Sequence, residues 1–169
     1  TKKSRVLFVT LGKGNNTVDE FSKKFVEKGG VREKVLVVTS DMTHGFRNAM
    51  KKEFSNSTVV VDKFHVVKMV NDGVDKVRKR EAREGKIEKK TKYIWLKNPE
   101  NRTQQQEETF SRLSKQRLGT GRAYRMRLEL QSIYAECFIK EEARGRMMKL
   151  TRWMLLSRLE EMRKVAKSL

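Results

Sequence analysis

Two short apolar runs, each closed by an aspartate and followed at once by a helix-like pattern, constrain this chain more than any other feature. Val35-Leu36-Val37-Val38-Thr39 leads into Ser40-Asp41, and Thr58-Val59-Val60-Val61 leads into Asp62. Runs of this length and β-branched content read as strands. The continuous apolar character of the first predicts burial on both faces, as in a parallel sheet. Between the runs, Phe46, Ala49, Met50 and Phe54 fall at helical spacing; after them, Val66, Val70, Val74 and Val77 form one stripe. Strand-helix-strand order implies parallel pairing through a right-handed crossover.

Upstream, Val6-Leu7-Phe8-Val9-Thr10-Leu11 reads as a further strand, stopped by Gly12-Lys13-Gly14. That glycine pair lacks the spacing and the Lys-Ser/Thr ending of a phosphate loop, so a turn is the better reading. Thr17 followed by Glu20 has the form of a capping box. It predicts a helix carrying Val18, Phe21, Phe25 and Val26 on one face, ended by Gly29-Gly30. Beyond residue 76 the pattern is helical almost throughout. A basic helix over 76–92 comes first, then the apolar patch Tyr93-Ile94-Trp95-Leu96 and a break at Pro99. Thr103 is placed to cap a helix with Phe110, Leu113 and Leu118. Gly119-Thr120-Gly121 reads as a second break. Two further helices carry Leu130, Ile133, Tyr134, Cys137 and Phe138, then Met147, Leu150, Met154, Leu155, Leu159 and Met162. The expected organisation is an α/β region over 1–75 and a basic helical region over 76–169.

Charge bounds the partners. Forty Lys and Arg against twenty-one Asp and Glu give +19 in 169 residues, a field that attracts polyanions. A basic excess of this size points to nucleic acid ahead of an anionic membrane surface. Lys76, Arg78, Lys79, Arg80, Arg83, Lys86, Lys89 and Lys90 are the candidate phosphate contacts, with Tyr93 and Trp95 as candidate base-stacking rings. The single cysteine, Cys137, rules out a disulfide within the chain, and nothing points to an oxidising compartment. No apolar run approaches the length of a membrane span. The Met and Leu stripes of the helical half suit a core or a self-association surface.

Asp41 and Asp62 are the leading candidates for chemistry. Each stands at the C-terminal end of a strand, the edge where open α/β sheets bind ligands. Paired carboxylates there suit Mg²⁺ or Mn²⁺, which take one or two carboxylates together with phosphates and water. The same position also suits a helix N-cap, and spacing alone leaves both roles open. His44 follows Asp41 by three residues and His65 follows Asp62 by three. Either could be a base or ligand, or an ordinary polar residue. No CxxC, HExxH or nucleophile elbow is present.

The stretch Val37-Val38-Thr39-Ser40-Asp41-Met42, with Phe46, Asn48 and Ala49, resembles the insertion-sequence transposases of the ISL3 family. So does Thr58-Val59-Val60-Val61-Asp62-Lys63-Phe64-His65-Val66-Val67-Lys68, followed by Val70-Asn71, Asp75 and Val77-Arg78. The resemblance covers residues 5–80 closely and the helical remainder loosely. It implies an incomplete ribonuclease-H-like α/β fold of about three strands with flanking helices, followed by an all-helical segment. It also implies a DDE site in which three acids hold two Mg²⁺ or Mn²⁺ ions for DNA strand cleavage and transfer. Asp41 would be the second acid and a metal ligand, with Asp62 and His65 beside the site. The first and third acids would lie outside this chain, since nothing around Glu160 and Glu161 matches the family's closing motif. The chain is thus expected to be a fragment, inactive alone and without a tightly held metal, with DNA as partner and the bacterial cytoplasm as location.

Overall fold

The computed structural model describes residues 6, 8–12, 14–41 and 43–169; it is mostly helical and contains a short two-stranded parallel sheet. Contacts divide it into two compact units, Thr1–His65 and Val66–Leu169, with the boundary inside one helix.

In the first unit, helix α1 (Asn15–Glu27) precedes strand β1 (Val37–Ser40), helix α2 (His44–Glu53) and strand β2 (Thr58–Val61). β1 and β2 pair in parallel, Val37 opposite Thr58 and Ser40 opposite Val61, as the strand-helix-strand order implied. The expected third strand is not formed. Val6 and residues 8–11 lie in irregular backbone, Leu7 is outside the described residues, and Val6, Val9 and Leu11 are exposed. Lacking a ladder partner, this segment is held by an aromatic contact: the Phe8 and Phe21 rings stand 6.2 Å apart.

Burial of the sheet on both faces is also not observed. The strands alternate exposed and half-buried residues, because α2 packs on one side of them and α1 packs on α2. Val37 and Val60 stay exposed on the other side. Phe54 is 2% exposed and packs among Phe21 and Phe25, with ring centroids 6.1 and 5.9 Å away. The Thr17–Glu20 capping box does not form either. Gly14 is the N-cap, and the Glu20 carboxylate instead accepts a hydrogen bond from the Thr10 hydroxyl at 3.0 Å. The predicted stop is present: Gly29 takes φ +82° and the Gly30 amide reaches back to the Phe25 carbonyl at 2.9 Å.

Helix α3 (Lys63–Arg83) carries the valine stripe into the second unit. Val70, Val74 and Val77 are fully buried and Val66 nearly so; each contributes about 1.5–3 kcal/mol relative to exposure. The basic segment does not continue as helix to Lys92. α3 stops at Arg83, and Gly85 adopts φ +73° while the Lys86 amide bonds the Glu81 carbonyl at 2.9 Å.

Helix α4 (Lys92–Leu96) follows. Then α5 (Gln104–Ser114) opens with the capping box of Thr103 and Gln106. Gly119-Thr120-Gly121, expected as a break, opens helix α6 (Gly119–Glu136). The cap comes from Glu81. Its carboxylate accepts hydrogen bonds from the Gly119 amide (2.7 Å), the Thr120 amide (2.9 Å) and the Thr120 hydroxyl (2.6 Å).

The final methionine stripe is two helices rather than one, α7 (Lys140–Leu156) and α8 (Glu160–Ser168), separated at Arg158, whose φ is 60°. Leu150, Met154, Leu159 and Met162 are buried, whereas Leu155 faces outward. Gly73 lets α8 approach α3 closely: a Cβ there would fall 2.9 Å from Val165 Cγ2.

Candidate functional site

The β1–β2 register settles where the two leading carboxylates stand. Ser40 and Val61 are partners, so Asp41 and Asp62 are the next pair along, and the Asp62 amide extends the ladder to the Ser40 carbonyl at 2.8 Å. Neighbouring strands are about 4.8 Å apart, which puts the two residues side by side at the C-terminal edge. The juxtaposition anticipated from strand order is therefore present.

Each carboxylate also makes local bonds. Asp62 Oδ1 accepts from the Phe64 amide at 2.9 Å, which is N-cap geometry for α3. Its Oδ2 lies 3.1 Å from His65 Nδ1, and both side chains are partly open to solvent. The Phe64 ring stands edge-on to the imidazole, with centroids 5.8 Å apart. Asp41 Oδ1 accepts from the Thr43 amide and Oδ2 from the Thr43 hydroxyl, both at 2.9 Å. This side-chain turn leads into α2, whose N-cap is Thr43. His44 is the first residue of α2, and its side chain is outside the described residues.

The cap bonds do not use up these carboxylates. An ionised carboxyl has about four lone-pair positions, more than the local N–H and O–H bonds named above occupy. Hard oxygen donors suit Mg²⁺ or Mn²⁺, which take one or two carboxylates from protein, and the register supplies two from neighbouring strand ends. Among the described residues, no three His, Cys, Asp or Glu side chains converge. Glu161 is instead paired with Arg80 Nε at 2.8 Å in the second unit. Burial opposes its ionisation, but the Arg80 hydrogen bond and charge outweigh that and hold the carboxyl below its ordinary range.

The basic set separates into surface and interior groups. Lys76, Arg83, Lys89 and Lys90 are exposed. Lys79 and Lys86 are exposed but paired, with Asp75 at 2.9 Å and Glu84 at 2.6 Å. Arg80 divides its guanidinium between Glu161 and Glu84. Arg78 is 5% exposed, donates to Asp75 at 2.8 Å and to the Lys89 carbonyl at 3.0 Å, and belongs to the interior. Burial disfavours the Asp75 carboxylate, yet the Lys79 and Arg78 bonds keep its pKa below the usual value.

Of the two rings considered for stacking, Tyr93 is exposed and Trp95 is fully buried. Trp95 packs edge-on against Phe110 and Tyr124, with centroids 5.5 and 5.7 Å away, and cannot receive a base on its face.

Sequence reading missed one concentration of charge. Arg117, Arg122 and Arg125 surround an apolar cleft at the start of α6. The signal was three arginines within nine residues of sequence, hidden because the intervening Gly-Thr-Gly was read only as a break.

A basic chain with adjacent carboxylates at a parallel strand edge has the ingredients of a protein that handles phosphodiesters. The sequence agrees. Over residues 1–169, its whole length, the chain matches the ISL3 family of DDE proteins, described as transposase, and it belongs to that family. No curated protein and no solved structure matches it. Among the described residues, no helix is long and apolar enough to cross a membrane.

Proposed function

We propose that this chain contributes DNA binding and one metal-ligating carboxylate to the catalytic domain of a DNA transposase, on a ribonuclease-H-like plan. The observation that carries the reading is the register that sets Asp41 beside Asp62 at the C-terminal sheet edge. Asp41 would be the ligand of Mg²⁺ or Mn²⁺, with Asp62 next to it and His65 held by Asp62. A divalent ion there would polarise a phosphoryl oxygen and acidify a bound water. The chain's own groups then have separate tasks. Thr43 orients the Asp41 carboxylate, the Phe64 amide orients that of Asp62, and Lys76, Lys79, Arg83, Lys86, Lys89 and Lys90 meet backbone phosphates. Strand transfer by the DDE mechanism would require a further acid beside these two, and among the described residues no third His, Cys, Asp or Glu converges on them.

The second reading is a nucleic-acid-binding module without catalysis. It is favoured by the local bonds that engage both carboxylates. A salt titration with duplex DNA tests what the two readings share. Affinity should fall linearly in log salt, by about 0.9 log units per decade for each phosphate neutralised. Affinity indifferent to salt would overturn both. Metal-dependent strand cleavage separates them. We expect none from residues 1–169 alone; cleavage that disappears in Asp41→Asn would show that the chain already holds a working site.

A further inference from the structure

The second unit contains a cleft of about 620 Å³ between α5 and the start of α6, within the size range of small-ligand sites. Its inner surface is apolar. Phe110 and Leu128 are half-buried, and Trp95 and Tyr124 lie behind them with their rings mutually edge-on. Its rim carries Arg117, Arg122 and Arg125, and no carboxylate lines it. Arg117 and Arg125 are exposed, and Arg122 donates one N–H to the Ser157 carbonyl at 3.1 Å. Ser114 and Gln116 add neutral donors and acceptors. The α6 amides do not supply the positive field, because Glu81 already occupies those of Gly119 and Thr120. The guanidiniums supply it.

An apolar, aromatic-backed wall beside three guanidiniums selects a flat, apolar-faced ligand that carries a multiply charged oxyanion. Guanidinium forks match phosphate in two-point geometry, and aromatic and apolar walls accept nucleobases of any sequence. A paired base cannot enter such a cleft, since its faces and edge are used within the duplex. We infer that this cleft binds a single unpaired nucleotide, with the base against Phe110 and Leu128 and the phosphate on Arg117, Arg122 and Arg125. The inference rests on the DNA-handling reading only for the source of the nucleotide; a free nucleotide has the same chemistry.

The test uses the 169-residue chain and three probes: a paired duplex, the same duplex with one unpaired adenine, and dAMP. A Trp153→Phe background leaves Trp95, beneath the cleft wall, as the fluorescent reporter. The unpaired adenine should tighten binding about tenfold over the paired duplex, and occupancy should change Trp95 emission. Gly121→Leu narrows the cleft against its aromatic wall. A Cβ there meets only the Trp95 ring at 3.9 Å, an ordinary contact, so the backbone accepts a side chain at this position. This variant should erase the preference for the unpaired base and leave paired-duplex affinity unchanged. Arg117→Ala with Arg125→Ala, at exposed positions, should weaken the unpaired probe more than the paired one.

Salt-dependent duplex binding with no preference and no response to dAMP would overturn the cleft assignment while the DNA-handling reading stands. A dAMP response abolished by Gly121→Leu, with no DNA binding, would support the cleft with a free nucleotide as occupant and overturn the DNA-handling reading. An unchanged preference in Gly121→Leu would also overturn the assignment.

Discussion

Replacing Glu81 by Gln should destabilise the second unit by far more than an isosteric exchange on a helix surface would. The Glu81 side chain is buried at 5% exposure, and its two oxygens accept three hydrogen bonds, one on Oε1 from the Gly119 amide and two on Oε2 from Thr120. Glutamine keeps the shape but has one accepting oxygen. Whichever way the amide turns, its NH₂ faces the backbone N–H of Gly119 or that of Thr120, and one buried amide loses its acceptor. An orphaned buried N–H costs about 1–3 kcal/mol, and hydrogen bonds to a neutral partner are weaker than those to a carboxylate. The loss of negative charge at the α6 N-terminus adds about 0.3–1 kcal/mol. Release from burying an ionised group offsets part of this, leaving a net loss of about 2 kcal/mol. For a unit of this size that is a fall in Tm of about 8 °C or more. Far-ultraviolet circular dichroism during thermal and urea unfolding gives the value. Combining Glu81→Gln with Thr120→Ala should be non-additive by at least about 0.5 kcal/mol, because both changes act on the same bonds. A Glu81→Gln protein within about 0.5 kcal/mol of the parent would refute the cap.

Other consequences are open to the same measurements. Gly73→Ala places a methyl 2.9 Å from Val165 Cγ2 and 3.2 Å from Met162 Sδ. The resulting separation of α3 and α8 should outweigh the better helix propensity of alanine and cost about 1–2 kcal/mol in urea unfolding; a stabilised variant would show that the two helices are not in close contact. The Glu161 carboxyl has a folded pKa below its reference value of 4.5. The unfolded chain therefore binds this proton first on acidification, and the stability that the group adds is complete above pH 4.5 and lost as pH falls through its depressed folded value. Glu161→Gln should lose about 1 kcal/mol at neutral pH, allowing for the exposure of Arg80, and should flatten that acid limb of the Tm profile. An unchanged limb would mean that the ion pair does not form.

The parts of this structure that sequence reveals are those whose causes are local. The α3 valines repeat at helical spacing and are buried as a stripe, and Thr103 with Gln106 closes its capping box within one turn. The adjacency of Asp41 and Asp62 followed from strand order, because a short helical crossover leaves parallel pairing as the outcome. The misreadings have remote causes. Residues 6–11 have strand-like composition, but strand character needs a partner, and Phe8 packs on Phe21 instead. Glu20 turns away from its helix end to meet Thr10. The start of α6 was hidden because its cap lies 38 residues upstream. Arg78 read as a surface cation until Asp75 and the Lys89 carbonyl fixed it inside. Trp95 read as a stacking ring until Phe110 and Tyr124 covered it. The α7–α8 corner falls at Arg158, a residue type that gives no turn signal and yet adopts φ 60°.

The half-open sheet sets a timescale for the site. β1 and β2 are four residues each, with Val37 and Val60 uncovered, so a local opening of the ladder exposes little new apolar surface. The amides that hold the Asp41–Asp62 edge should therefore exchange with solvent deuterium through small fluctuations. Those around Val70 and Val74, with no exposed surface, should wait for the second unit to unfold. The strand ends that carry the carboxylates should thus open more readily than the α3 core, and a cation bridging them would register first as slowed exchange at Ser40 and Asp62.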